Sequence, residues 1–345
     1  MNKQALLNYR CPVSKGRLLL DKKSGGDDVS EGVLRSEEGR HFPVRKGIPD
    51  FTYPETLVGS DAKFREDYDR MADGIYDNSM DWLFDLFCVK EADVRDEMID
   101  LLALCPGYKV LEIGCGTGRD SVHIARRLGQ GQFFAQDLSA GMLGKCRERI
   151  EADKEISSGD LDVEYFVGNA SYLPFPDNYF DAVFHFGGLN EFTEGKEALE
   201  EISRVVRKGA KVVVGDESVA PWLRETDYGK VLINNNSLWG HHVPLEILPK
   251  DAWNPCLRWI LGNAFYVIDY EVGDGLPPAD FDLIHQSPRG GSCNTRYYGQ
   301  LEGVSLDVKS LAWDAARKSG KSMHEWLDNV VRQAAESDMG DKGSN

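Results

Sequence analysis

Three alternating glycines, Gly114, Gly116 and Gly118, follow the apolar run Lys109–Ile113 and precede a helix-like stretch, Asp120–Leu128. A strand, a glycine-rich turn and a helix start let the backbone approach a ligand closely, with helix N–H groups pointing at it. Roughly twenty residues on, Asp137 ends a second apolar run, Gln132–Gln136, where a carboxylate can accept hydrogen bonds from a ribose diol. His185 opens the segment His-Phe-Gly-Gly-Leu-Asn that ends at Asn190. Its imidazole titrates near neutrality and suits a general base, and Gly187 and Gly188 leave room for a ligand. A buried histidine satisfied by its surroundings accounts for His185 equally well. His241 and His242 are the other candidate bases.

The elements around these residues alternate between residues 95 and 216. Helices are predicted at 92–104, 119–128, 139–150 and 195–207, and strands at 109–113, 132–136, 163–167, 181–186 and 211–215. That alternation implies an α/β fold with a doubly wound parallel sheet, whose ligands sit outside the carboxyl ends of the strands. Phe265–Val272 and Asn294–Leu301 read as two further strands, closing the sheet as an antiparallel hairpin across a long polar loop. Residues 61–80 carry Phe64, Tyr68 and Met71 at helical spacing. Gly25–Asp28 reads as a turn within a small β module over residues 1–55.

Of the 345 residues, 41% are hydrophobic, enough for a globular core, and no apolar run reaches membrane-spanning length. Met1–Leu7 lacks the apolar core of a secretory signal, so a cytoplasmic location is expected. The seven cysteines are scattered singly, which argues against a disulfide framework and a zinc site. A net charge of −17 with no basic stripe argues against a nucleic-acid partner.

Gly-x-Gly-x-Gly with Glu112 two residues before it resembles motif I of the class I S-adenosylmethionine (SAM) methyltransferases. Asp137-Leu138-Ser139 looks like their acidic second motif. Gly168-Asn169-Ala170 with Leu173-Pro174-Phe175 looks like the adenine-binding turn, and Phe180–Val183 and Glu201–Lys211 look like the segments around the fourth and fifth strands. The quinone C-methyltransferases of ubiquinone and menaquinone synthesis are the most similar named group, over roughly residues 60–220. Their Tyr-Asp…Tyr-Asp segment is matched by Tyr68-Asp69 and Tyr76-Asp77.

The resemblance implies a Rossmann-like, seven-stranded methyltransferase domain over residues 60–302 with SAM as cofactor. Gly114, Cys115, Gly116 and Gly118 would meet its methionine part, with Glu112 bracing the loop. Asp137 would hold the ribose hydroxyls, Leu138 the adenine face, and Asn169 and Ala170 the adenine edge. Tyr68 and Tyr76 would form a lid, and His185 would face the methyl group. Asn190, His241, His242, Arg289, Arg296 and Tyr298 are the candidate substrate residues, within a substrate region of about 217–300. The start, Tyr9-Arg10-Cys11-Pro12 with His41, resembles a zinc-ribbon-like module, but Cys11 and His41 cannot assemble four ligands, so no metal is expected.

Residues 303–337 resemble a ribbon-helix-helix segment, with Val304–Val308 as its strand, Ser322 and Glu325 as a capping box, and 338–345 as a disordered tail. Such a segment would pair two chains; a plain helical hairpin fits equally. The function expected is methyl transfer to carbon or oxygen of a small organic molecule. A tRNA or protein methyltransferase and a non-catalytic SAM-binding assembly or regulatory protein are the alternatives.

Overall fold

The computed structural model describes residues 5–21, 29–57, 59–286, 291–298 and 305–340. The chain divides into two compact units, Met1–Pro277 and Pro278–Asn345. The first unit is built on a seven-stranded sheet. Its strands are β5 (Lys109–Ile113), β6 (Gln130–Asp137), β7 (Asp160–Val167), β8 (Phe180–Phe186), β9 (Val206–Glu217), β10 (Ala252–Ile260) and β11 (Phe265–Val272), in the spatial order β10-β11-β9-β8-β5-β6-β7.

β5 to β9 run parallel, and β11 lies antiparallel between β9 and β10. The parallel strands are apolar on both faces. Leu111, Phe134 and Val212 enter one buried cluster, and Val110, Phe133 and Val213 the other. Such runs need cover on both sides. Helices α3 (Glu91–Asp100), α4 (Arg119–Leu128) and α5 (Ala140–Ala152) contribute Met98, Ile124 and Leu143 to the second cluster. Helix α7 (Gly195–Val205) contributes Ala198 and Ile202 to the first.

That first cluster also takes in the N-terminal module, a four-stranded antiparallel sheet of β1 (Leu18–Asp21), β2 (Gly32–Ser36), β3 (His41–Arg45) and β4 (Ile48–Pro49). Tyr9 and Phe51 pack beside Phe166 and Phe175, the Arg10 N–H bonds Pro174 O and the Phe51 N–H bonds Val167 O. Cys11 is fully buried there, while His41 is exposed. The turn expected at Gly25–Asp28 lies outside the described residues.

Between β5 and β8 the strand order reverses, and there the carboxyl ends leave a crevice. His185 of β8 is in register with Ile113 of β5, placing the glycine turn beside it. Two helices cross over this end: α1 (Gly59–Met71) and α2 (Ile75–Leu86), parted at Gly74, whose φ of 95° suits glycine. Among the described residues the remaining α-helices of this unit are α6 (Lys154–Ser157) and α8 (Asp227–Asn235).

Three expectations are corrected. The partner of β11 is not Asn294–Leu301 but β10, because 293–298 is a helix, α9 (Cys293–Tyr298). The β10 signal was hidden by Asn254-Pro255, which sits where the register shifts between Trp253 and Cys256; a bulge in an edge strand is where proline is tolerated. Among the described residues the ribbon strand is not formed either, since α10 (Leu306–Lys318) already begins at Leu306; Val304 lies outside them. Ser305 stands at its N-cap and Asp307 in its first turn, so a short alternation was in fact a helix start. Of the tail expected over 338–345, Asp338–Gly340 are instead the end of α11 (Met323–Gly340), and 341–345 lie outside the described residues. At its start the Glu325 N–H donates to Ser322 Oγ at 3.2 Å and the Ser322 N–H donates to Glu325 Oε2 at 3.1 Å.

Among the described residues no helix is long and apolar enough to cross a membrane.

Candidate active site

The crevice holds a cavity of about 220 Å³. Its floor is the glycine turn. Gly114, Gly116 and Gly118 have φ of 67°, 54° and 84°, a left-handed conformation that side chains other than glycine rarely adopt. Gly114 and Gly116 line the cavity, while Gly118 does not. A Cβ on Gly118 would stand 2.9 Å from Cys146 Cα, so its role is to let α4 and α5 approach.

Cys115 and Glu112 also turn away from the cavity. Cys115 is 5% exposed and packs in the α4–α5 cluster. Glu112 accepts from Ser121 Oγ at the start of α4, and burial holds its carboxyl well above the usual range. Gly118 and Cys115, expected as cofactor contacts, are corrected to supports of the loop.

Asp137 joins the two turns. Its Oδ2 accepts the Gly116 N–H and its Oδ1 the Ser139 N–H, each at 2.8 Å. Burial pushes its pKa up to about 6, against the lowering effect of these backbone bonds. Leu138, Asn169 and Ala170 line the same end. Asn169 Oδ1 accepts from Ser171 N at 3.0 Å and its Nδ2 donates to Asp61 Oδ2 at 3.4 Å.

The roof comes from α1 and α2. Tyr68 and Tyr76 line the cavity with ring centroids 6.2 Å apart. Tyr68 OH donates to Glu191 Oε2 at 3.0 Å, and burial raises both phenols. The acids beside them anchor the roof. Asp69 Oδ1 accepts from Gly141 N at 3.1 Å and from Ser139 Oγ, at the start of α5. Asp77 Oδ1 accepts from Thr117 Oγ1 at 2.7 Å, and its Oδ2 pairs with Arg149 at 2.5 Å.

His185 is 1% exposed and lines the far end. Its Nδ1 lies 2.8 Å from Ile113 O. A carbonyl only accepts, so the neutral ring carries its proton on Nδ1 and offers a lone pair at Nε2. Nε2 is buried without a partner among the described residues, and burial lowers the imidazole pKa, keeping it neutral. Next to it the loop is open: nothing lies within 4 Å of a Cβ built on Gly187.

Asp216, fully buried, fixes this loop by accepting from Gly188 N, Asn190 N and Glu217 N at 3.1, 2.5 and 2.8 Å. Asn190 does not line the cavity. Its Nδ2 donates to Glu217 O at 2.7 Å, which makes it a brace rather than a substrate contact. His241 and His242 are exposed and outside the cavity; His241 contributes its carbonyl to Ser218 Oγ at 2.7 Å. Arg289 and the side chains of Arg296 and Tyr298 lie outside the described residues.

Sequence reading missed Glu191 and Glu217, which also line the cavity. Burial raises the pKa of both, and Asp216 raises that of Glu217 further. It also missed the apolar wall of Met80, Leu83, Phe84 and Phe265. Only the position of Glu217 at the end of a core strand could have signalled it.

Residues 110–209 match the family described as "Methyltransferase domain". The chain is 35% identical over 127 residues to the ubiquinone/menaquinone biosynthesis C-methyltransferase UbiE of Ruegeria sp. (strain TM1040), covering 37% of this chain and 49% of that protein. To the UbiE of Cupriavidus pinatubonensis it is 36% identical over 148 residues, 43% of this chain and 54% of that protein. The chain thus spans about half the length of the curated relatives it matches. A solved structure it is similar to is Haemonchus contortus phosphoethanolamine N-methyltransferase 2 in complex with S-adenosyl-L-methionine, at 16% identity and a TM-score of 0.46, over 66% of this chain and 62% of that one.

Proposed function

We propose that the protein is a SAM-dependent methyltransferase that acts on carbon or oxygen of a small organic acceptor by in-line displacement. The observation that carries this reading is Asp137, a buried carboxylate at the end of β6 tied to the glycine turn and open to the cavity. The matched methyltransferase domain and the C-methyltransferase relatives support it.

The donor set fits the cofactor. Asp137 would accept from the ribose diol, Leu138 would cover one face of the adenine, and Asn169 and Ala170 would meet its edge. When bound, SAM supplies an electrophilic methyl carbon on sulfur. The chain supplies alignment and dryness. Tyr68 and Tyr76 shut out water from above, and the bare Gly187 leaves space for the acceptor. The His185 Nε2 lone pair can take a proton from an acceptor O–H or C–H, because the Ile113 carbonyl fixes the ring's tautomer.

Calorimetry with S-adenosylhomocysteine (SAH) tests the reading. The wild-type protein is expected to bind it, and Asp137→Ala to weaken binding by about tenfold or more. No binding of SAM or SAH, or equal affinity in the variant, overturns it.

A further inference from the structure

The strand order measures the cavity. From β6, which ends at Asp137, the sheet passes through β5 and β8 to β9, which ends at Glu217. Three strand spacings of roughly 4.8 Å set β6 and β9 roughly 14 Å apart, and β8 with His185 lies between them. Glu217 therefore stands beyond His185 as seen from Asp137. Glu191, in the turn Leu189–Glu191 that follows β8, lines the cavity with it.

These two acids lack the partners that the cavity's other acids have. Asp137 accepts two backbone N–H groups, and Asp120 pairs with Arg95 at 2.5 Å. Among the described residues Glu191 accepts from Tyr68 OH at 3.0 Å, and Glu217 meets the carboxyl group of Asp216. Two carboxyl groups share a hydrogen bond only while one of them holds a proton, because the ionised form only accepts. The charges that act most strongly on Glu191 and Glu217 are also acids: Asp216 on both, and Glu191 on Glu217. The two arginines that line the cavity are already paired, Arg65 with Asp50 at 3.6 Å and Arg95 with Glu91 and Asp120. Acids gathered out of water in this way call for a countercharge.

His185 points to a ligand at the same place on separate grounds. It is 1% exposed and lines the cavity, and its Nδ1 is held by the Ile113 carbonyl of β5 at 2.8 Å. Nε2, on the other side of the ring, has no partner among the described residues. Asp216 is one of the charges acting on His185, so the imidazole and the acids are neighbours. A lone pair and carboxyl oxygens are acceptors, and they are complementary to a positively charged group that donates N–H bonds.

Building on the methyltransferase reading, we infer that Glu191 and Glu217 form a cation-binding end of the acceptor site: the acceptor carries a protonated amine, seated against these two carboxyl groups, and turns its reacting carbon or oxygen toward His185. The ammonium takes the place of the proton that Glu217 shares with Asp216, and it supplies the countercharge the acids lack. Space for it is present, since a Cβ built on Gly187 meets nothing within 4 Å. An acceptor bearing a carboxylate or phosphate at this point is rejected by like charge.

The test uses the full chain loaded with SAH and three matched phenols read by calorimetry: tyramine, 4-ethylphenol and 3-(4-hydroxyphenyl)propanoate. Tyramine is expected to bind at least about tenfold more tightly than 4-ethylphenol, and the propanoate more weakly than either. Glu191→Gln and Glu217→Gln keep the size of the side chain and remove its charge. Each is expected to weaken tyramine about tenfold while the affinities for SAH and 4-ethylphenol are retained, a selectivity that a general packing defect would not produce. Tyramine binding no tighter than 4-ethylphenol, tighter binding of the propanoate, or no effect of both substitutions on tyramine overturns the inference while SAH still binds. So does a loss of affinity for SAM alone in the two variants, with tyramine unaffected, because the acids would then serve the sulfonium. Failure of the wild-type protein to bind SAM or SAH overturns the methyltransferase reading and the inference with it.

Discussion

Asp137 and Gly116 are joined by a 2.8 Å hydrogen bond in which the glycine N–H donates to the carboxylate. The two motifs that could hold a nucleoside are thereby one unit, and the state of one acid controls it. Burial raises the Asp137 pKa from 3.8 to about 6. The folded chain therefore holds this proton where the unfolded chain has lost it, and the group's contribution to stability declines as pH rises from about 4 to about 6. Ligand binding should run the opposite way, because a diol donates to an ionised carboxylate. SAH affinity is expected to rise with pH up to about 6 and then level off. Asp137→Asn should bind more weakly and lose this dependence. Calorimetry on both sides of the transition checks this; an unchanged profile in the variant would refute it.

The roof should be released by its anchors rather than by its aromatic rings. Asp69 and Asp77 each tie a roof helix to a loop of the nucleoside end, through Gly141 and Ser139 and through Thr117 and Arg149. Each is partly solvated, so Asp69→Ala or Asp77→Ala is expected to cost about 1–2 kcal/mol of stability. The more telling effect is local. Amide hydrogen exchange over residues 59–86 should accelerate in either variant while β5 to β9 keep their protection. Unchanged exchange in the roof would show that packing alone holds it.

The adjacency of Tyr68 to Asp69 and of Tyr76 to Asp77 was visible in the sequence, but its division of labour was not. Which residue of each pair faces the cavity depends on how the helices lie across the sheet. The parallel sheet, the glycine turn and Asp137 were legible because continuous apolar strands and alternating glycines are compatible with few folds. Gly118 and Cys115 were placed in the right loop and assigned the wrong task, since motif position does not say which way a residue faces. The acceptor end was least legible. Glu191 and Glu217 come from different elements, and neither carries a spacing that announces it. The edge strand β10 stayed hidden behind Pro255, and α9 was misread because Tyr297-Tyr298 favours strands by composition.

Acid should loosen the ion-pair network that joins α2, α3 and α4 around Arg119 through Glu91. Burial alone would raise its pKa, but hydrogen bonds from Arg119 and Arg95 outweigh that and hold it at about 2. A depressed acid contributes stability above its ordinary value of 4.5, and this contribution is lost as pH falls from 4.5 toward about 2. Glu91→Gln should be less stable than wild type near neutrality and should show a shallower loss in that acid window. Arg95, 5% exposed at its side chain, also pairs with Asp120. Arg95→Met strips Asp120 of that partner and is expected to cost about 3–5 kcal/mol, a loss measurable by urea unfolding.

Gly118 and Gly187 share a φ of 84°, so a side chain at either would be strained, yet alanine at the two positions should behave differently. At Gly187 a Cβ meets nothing within 4 Å, and only the backbone penalty of about 1–2 kcal/mol applies. At Gly118 the Cβ would stand 2.9 Å from both Cys146 Cα and Sγ, and backbone cannot move aside. Overpacking between α4 and α5 adds about 1–3 kcal/mol, for a total of about 2–5 kcal/mol. The function test separates them in the other direction. Gly187→Ala fills open space at the acceptor end and should impair acceptor binding while SAH affinity holds. Gly118→Ala should lower SAH affinity by moving the start of α4, and Cys146→Ala, which removes Sγ but not Cα, should rescue only part of its stability. Equal stability of the two glycine variants by urea unfolding would mean that α4 and α5 can separate at that crossing.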